Sequence, residues 1–403
     1  MNVDAAIIGA GPAGLMAAIE LSRNGLSVAV IDEYYLPGGR LLGQHYEDPA
    51  EPPGERIWDG KRIAEQLEQQ ARRQGVHLFT GVTAWSVSKK WEIALSGATE
   101  NQLFSKVLLL ATGSAEKALP IPGWTLPGTI SIGAAQTFTN LHRVAVGTKV
   151  VIIGIDPLSL SVMLEMRNAG IDVIGMALPP VSPVTGKEYT PVGTLSRLSD
   201  AARLAPNAFL RTAGRFALSV SPRLAGHFMR FYFIKIKGVP LYFRKSVVSI
   251  DGHDRVEGVT VQPISVDGTP AGQPEQWEAD SVCLSAGLYP LVDLIQLTGC
   301  PLVEIPELGG MVPLHGNDLS TPVKGLYVAG NITGIEGAKV AMAQGRLAAI
   351  SIIESLGKKG SMTVNEAMEK VTEARKTSPL RFLPDIEKGR AKLNDLWRKE
   401  GIV

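Results

Sequence analysis

Cysteine is nearly absent. Only Cys283 and Cys300 occur among 403 residues, which excludes a disulfide framework, a Cys-x-x-Cys redox pair and an iron–sulfur cluster held by this chain alone. Charge excess is missing too. Forty Lys and Arg against 39 Asp and Glu leave a formal charge of +1, a balance that draws neither nucleic acid nor an anionic membrane. None of the six histidines has metal-ligand spacing to another, and neither Gly-x-Ser-x-Gly nor His-Glu-x-x-His occurs. No metal site and no catalytic constellation can be assigned. Long apolar runs are lacking as well: "AAIIGAGPAGLMAAIEL" near the start has no basic n-region and is broken by glycines, so it reads as neither leader nor membrane span. Together these absences predict a cytoplasmic chain in a reducing setting.

What is present is a turn-rich globular composition, with 45% hydrophobic residues, 43 Gly and 26 Pro, and a length that predicts two or three α/β lobes. "DAAIIGAGPAGLMAAIELSRNGLSVAVIDE" predicts a strand from Val3 to Ile8, a glycine loop, a helix ending before Gly25, and a second strand ending at Asp32. Gly9 permits the tight turn, Gly11 lets backbone approach a pyrophosphate, and Gly14 lets the helix pack on the strand. Pro12 and Ala13 complete the loop, and the positive helix end faces the phosphates. Asp32, or Glu33 beside it, can accept hydrogen bonds from a ribose. Strand, loop, helix, strand and acid agree on a dinucleotide.

Later stretches specify which one. Pro37-Gly38-Gly39, followed by Arg40, resembles the loop that passes the ribityl and ring side of FAD in flavoproteins with two dinucleotide folds. Ala111-Thr112-Gly113, after the buried strand "KVLLL", resembles the motif closing their first FAD segment. "STPVKGLYVAGNITGIEGAKVAMAQGRLAAISI" resembles their second FAD fingerprint, with Gly330, Asn331, and a helix starting near Gly337 and Ala338. Val82 joins this candidate set. The resemblance implies an α/β fold of two Rossmann-like units. Residues 1–117 and 290–360 would form a split FAD-binding domain, 118–289 an inserted NAD(P)-like domain, and 361–403 a helical C-terminal extension.

The inserted domain has a motif of its own, "KVVIIGIDPLSLSVMLEMRNAGIDVIGMAL" from Lys149 to Leu178. Here the three glycine positions read Gly154, Asp156 and Ser159. Asp156 carries negative charge toward a pyrophosphate and, at a helix start, caps the backbone N–H groups itself. Ala177 is read at the place of the ribose acid. The pattern argues against NAD(P), and neither cysteine substitutes for it: both read as small core residues.

"IPGWTLPGTISIGAAQTF", "DSVCLSAGLYPLVDLIQLTGC" and "GNITGIEGAKVAMAQGRLA" resemble the FAD-binding α subunits of heteromeric amino-acid dehydrogenases and oxidases. This family includes dye-linked proline and hydroxyproline dehydrogenases, opine oxidase and hydrogen cyanide synthase, with sarcosine oxidase more distant. The resemblance implies electron transfer from a glycine-oxidase-type β subunit that oxidises a secondary amine or amino acid on its own flavin. Three departures stand out. Asn331 replaces the family's Asp, and the charged C-terminal stretch replaces a cysteine-rich domain, so that a cluster would reside in a small iron–sulfur subunit. Lys339 lies where relatives are apolar, and is expected to be solvated.

Two other readings remain open at this level: a stand-alone NAD(P)H-dependent flavin oxidoreductase, and a non-redox subunit binding ADP or ATP. His45 is a polar loop residue near the expected flavin. The stretch between Asp200 and Asp251, with nine basic and no acidic residues, is read as a partly solvated excursion or partner-docking segment.

Overall fold

Residues 1–47, 52, 54, 56–183, 185–201, 234–378 and 382–399 are described by a computed structural model. The basic stretch after Asp200 therefore lies largely outside the described residues.

Alternating runs of buried β-branched and leucine residues build two sheets. The first begins with strand Asn2–Ile8, which pairs in parallel with Val28–Asp32 on one side and Gln102–Leu110 on the other. His77–Thr80 extends one edge, and the antiparallel strands Glu92–Ser96 and Thr83–Val87 extend the other. Leu326–Val328, more than two hundred residues later, returns beside Gln102–Leu110. Such apolar strands, among them "AAII" and "VLLL", are what a parallel sheet covered on both faces requires.

Helices Pro12–Arg23 and Ala338–Ser355 lie against this sheet and pack on each other. Their approach depends on Gly345, where a Cβ would stand 2.1 Å from the Ala13 carbonyl oxygen.

The second sheet takes its strands from the middle of the chain. Its parallel part runs Thr129–Ser131, Ser281–Leu284, Lys149–Ile153 and Asp172–Leu178, and Val239–Asp251 continues it into an antiparallel meander. The short strands Ser114–Glu116 and Leu288–Pro290 pair antiparallel where the chain passes between the sheets.

Helices Val364–Thr377 and Ile386–Lys399 form the C-terminal tail. The first begins with a capping box, in which Thr363 and Glu366 satisfy each other's backbone N–H groups. The second buries Ile386 and Leu393 against Ile305, Leu308 and Val312. The fold is that expected from sequence: α/β, with Rossmann-like sheets and a helical tail.

Candidate functional site: one open cleft and one closed copy

At the carboxyl ends of the first sheet's parallel strands lies a cleft of about 630 Å³, within the range of about 300–1,000 Å³ usual for cofactor and ligand sites. Gly9, Gly11, Pro12, Ala13, Asp32, Glu33, Gly39, Arg40, Val82, Ala111, Thr112, Gly113, Gly330, Asn331, Gly337 and Ala338 all line it. Gly14 is the exception among the sequence candidates. It lies beneath the loop, where a Cβ would come 1.9 Å from the Gly9 carbonyl oxygen.

The loop is shaped by close approach. Gly9 has φ +106°, and a Cβ there would stand 2.3 Å from the Ala111 oxygen. Gly11 caps helix Pro12–Arg23 without any side-chain hydrogen bond to the helix N-terminus, and a Cβ on it would meet nothing within 4 Å. Helix Ala338–Ser355 also starts with no side-chain cap, at Gly337. Two helix N-termini thus reach the cleft with backbone donors not taken by a capping side chain, an arrangement that suits phosphate and other anionic groups.

The polar wall is preorganised. Asp32 accepts hydrogen bonds from Ala10 N at 2.6 Å and Tyr34 N at 2.8 Å. Burial nevertheless raises its carboxyl above the ordinary range, with Glu33 adding to the rise. Arg40 Nη2 donates to the Ser114 oxygen at 3.3 Å and lies 4.0 Å from Glu116. Glu116 also accepts from Ser131 Oγ at 2.9 Å and Gly133 N at 3.1 Å. Thr112 Oγ1 donates to the Leu291 oxygen at 2.7 Å, and Asn331 Oδ1 accepts from Glu336 N at 3.1 Å.

Sequence reading missed several cleft residues. Glu116, Gly133, Gln136, Glu336 and Phe382 also line it. Only Glu336 had a local signal, its place directly before the Gly337 helix start. The carboxylate is held by Arg375 Nε at 2.7 Å and Arg390 Nη2 at 2.5 Å, both from the tail helices. Burial pushes that carboxyl up, but Arg390 and Arg375 outweigh it and hold it below the usual range. His45 is exposed and does not line the cleft, whereas its neighbour Gln44 does. Lys339 Nζ sits 5.6 Å from the centroid of the Trp58 ring.

The second sheet repeats the first loop's geometry. Gly154 has φ +114°, and its Cβ would stand 2.0 Å from the Ser285 oxygen, so Ser285-Ala286-Gly287 takes the place of Ala111-Thr112-Gly113. Gly154 N donates to the Ala177 oxygen at 2.8 Å, just as Gly9 N donates to the Ile31 oxygen at 2.8 Å. This register corrects the sequence reading by one residue: the counterpart of Asp32 is Leu178, which is buried and apolar, rather than Ala177.

The rest of the second loop is closed. Asp156 Oδ1 accepts from Ser159 N at 2.9 Å and Oδ2 from Ser285 Oγ at 2.6 Å. Ser159 Oγ accepts from Asp156 N at 2.9 Å, completing a capping box. Tyr189, 4% exposed, brings its hydroxyl to 3.4 Å from where a Gly287 Cβ would stand. Burial, and next the charge of Asp156, push this phenol up to about 12.

The cysteines offer no redox centre. Burial raises Cys283 to about 12 and Cys300 to about 11, away from the reactive thiolate range. Among the described residues there is no cluster of three or more metal-ligating side chains, and no helix is long and apolar enough to cross a membrane.

A subunit of opine oxidase from Agrobacterium tumefaciens (strain Ach5) is 29% identical over 407 residues, covering 98% of this chain and 72% of the relative. Hydrogen cyanide synthase subunit HcnB of Pseudomonas protegens is 28% identical, covering 89% and 71%. Among solved structures, L-proline dehydrogenase from P. horikoshii shares the fold with a TM-score of 0.65 at 20% identity, covering 93% of this chain and 59% of that one. The family model described as pyridine nucleotide-disulphide oxidoreductase matches residues 3–345. With most of its length matched, the chain belongs to that family and is an FAD-dependent oxidoreductase.

Proposed function

We propose that this chain is the FAD-binding, electron-carrying α subunit of a multi-subunit dehydrogenase or oxidase. Its substrate would be an amino acid or secondary amine of the proline, hydroxyproline, sarcosine or opine class, oxidised in a partner β subunit of glycine-oxidase type. The observation that carries the reading is the contrast between the two folds: one glycine loop is open and uncapped, while its copy is sealed by Asp156, Ser159 and Tyr189.

The first cleft fits FAD on its own geometry. Gly9 makes the tight turn, Gly11 leaves room for a pyrophosphate, the uncapped helix start offers it backbone donors, and Asp32 at the strand end would meet a ribose. Gly39, Thr112 and Asn331 would lie along the ribityl and ring side, with the Gly337 helix start directing its positive end there. When bound, FAD supplies the capacity to accept and release electrons singly or in pairs. The chain itself would orient the group and set the charge around it: Arg40 and Glu116 form a charged pair on the wall, and Phe382 adds an apolar lining.

Both sequence relatives are named as subunits of larger enzymes, which supports a partner for this chain. A small iron–sulfur subunit fits as a further member, since Cys283 and Cys300 are buried singly. Co-purification from the native source tests the reading. A second flavoprotein of amine-oxidising type is expected to come down with this chain, and the pair is expected to reduce an artificial dye with the amine. A lone homodimer with full amine-dependent dye reduction would overturn it.

A further inference from the structure

Behind one wall of the cleft is a buried carboxylate that neither nucleotide fold requires. Glu165, on helix Pro157–Asn168, is 4% exposed. It receives hydrogen bonds from Gln136 Nε2 at 3.0 and 3.1 Å, from Ser161 Oγ at 3.0 Å and from Asn140 Nδ2. Every one of these donors is neutral. Burial therefore prevails over the hydrogen bonds and pushes the carboxyl up to about 7. On the elements packed against its helix, His45, Glu47 and His142 are exposed, and Asp172 is paired with Arg167 at 3.0 Å.

Gln136 connects this group to the cofactor site. It is itself buried, on helix Ile132–Thr137, and lines the cleft. A primary amide keeps nearly the same shape when turned end for end, so its neighbours decide which edge faces where. An ionised carboxylate only accepts, which obliges Nε2 to face Glu165 and puts Oε1 on the opposite edge. A protonated Glu165 carries a donor of its own and no longer enforces that choice. Asn140 extends the connection, because its Nδ2 also donates to the Gly43 oxygen at 2.7 Å, at the end of the turn Gly39–Gly43 that lines the cleft.

We propose that Glu165 is a positioning residue that orients the Gln136 amide at the cofactor cleft, so that proton uptake at Glu165 changes the hydrogen-bonding character of that wall. The proposal rests on the FAD reading of the cleft. With FAD bound, an acceptor edge of Gln136 on the wall would favour a cofactor form with an additional N–H and a donor edge a form with an acceptor, so that Gln136 would convey the protonation of Glu165 to the cleft. The linkage sign is fixed by the raised folded value. The stability associated with protonated Glu165 is complete below the ordinary carboxyl range and is lost as pH rises through about 7.

The test is a pH titration of the visible spectrum and midpoint potential of the bound flavin, between pH 5.5 and 8.5, on the purified protein with any partner it retains. Wild type is expected to show a transition near neutral pH. Glu165→Gln, close to isosteric, is expected to abolish it while the flavin released on denaturation stays stoichiometric. Gln136→Leu keeps Glu165 but removes the relay, and is expected to abolish the same transition. Should Glu165→Gln fold poorly, Gln136→Leu decides the matter. Absence of the transition in wild type, or its persistence in either variant, overturns the proposal, whereas release of no flavin at all from wild type would overturn the FAD reading beneath it.

Discussion

At the residue scale, Asp156 decides the fate of the second nucleotide fold. Its position corresponds to Gly11, yet its two carboxylate oxygens are occupied by Ser159 N and Ser285 Oγ. A pyrophosphate brought there would meet a negative charge in place of free N–H groups, in a cleft where charge is poorly screened. Replacing Asp156 by Gly is expected to destabilise the protein, by only about 0.3 kcal/mol for the cap, since glycine is itself tolerated there, and by about 1–3 kcal/mol for the buried Ser285 hydroxyl left unpaired. A lowered denaturant midpoint checks this. The same variant is expected to gain no NADH oxidation, since Leu178 and Tyr189 still fill the ribose and loop positions. Recovery of nicotinamide turnover by this one change would contradict that account.

At the scale of elements, the tail helices are tied to the cleft through one carboxylate. Glu336 lies one residue before the Gly337 helix start, and Arg375 and Arg390 reach it from the two tail helices. Arg390 Nη1 also donates to the Thr333 oxygen at 2.7 Å. Removing one partner of a buried ion pair typically costs about 3–5 kcal/mol; with Arg375 remaining, Arg390→Met is expected near the lower end. Thermal unfolding checks the stability, and faster release of flavin on dilution checks the coupling to the cleft. Unchanged release would separate the tail from the site.

These elements also show what the sequence could and could not convey. The glycine turns and the cap at Asp156 were legible because backbone geometry demands those residue types at fixed spacing. The one-residue difference between Ala177 and Leu178 was not, because two adjacent apolar residues in a buried strand carry no register. Nor was the role of Tyr189, which reaches Gly287 across nearly a hundred residues of chain. Gln136 and Glu165 were equally silent, since their partnership arises from packing between helices rather than from any local motif.

At the scale of the whole molecule, two sheets share one strand–turn–helix geometry and differ in how the turn is filled. The first brings strands from both ends of the matched region around one cleft, so that Gly9, Thr112 and Asn331 line the same cavity. The second preserves strand, turn and helix as a packing unit while its own side chains fill the turn. With no reactive cysteine available within the described residues, electrons entering the proposed subunit would come from a partner rather than from nicotinamide. Anaerobic mixing of the flavin-loaded protein with NADH and NADPH tests this most directly, with dithionite as the control for reducibility. Dithionite is expected to bleach the flavin absorbance, and neither nicotinamide is expected to do so on the time scale of turnover. Rapid, stoichiometric bleaching by either one would contradict it.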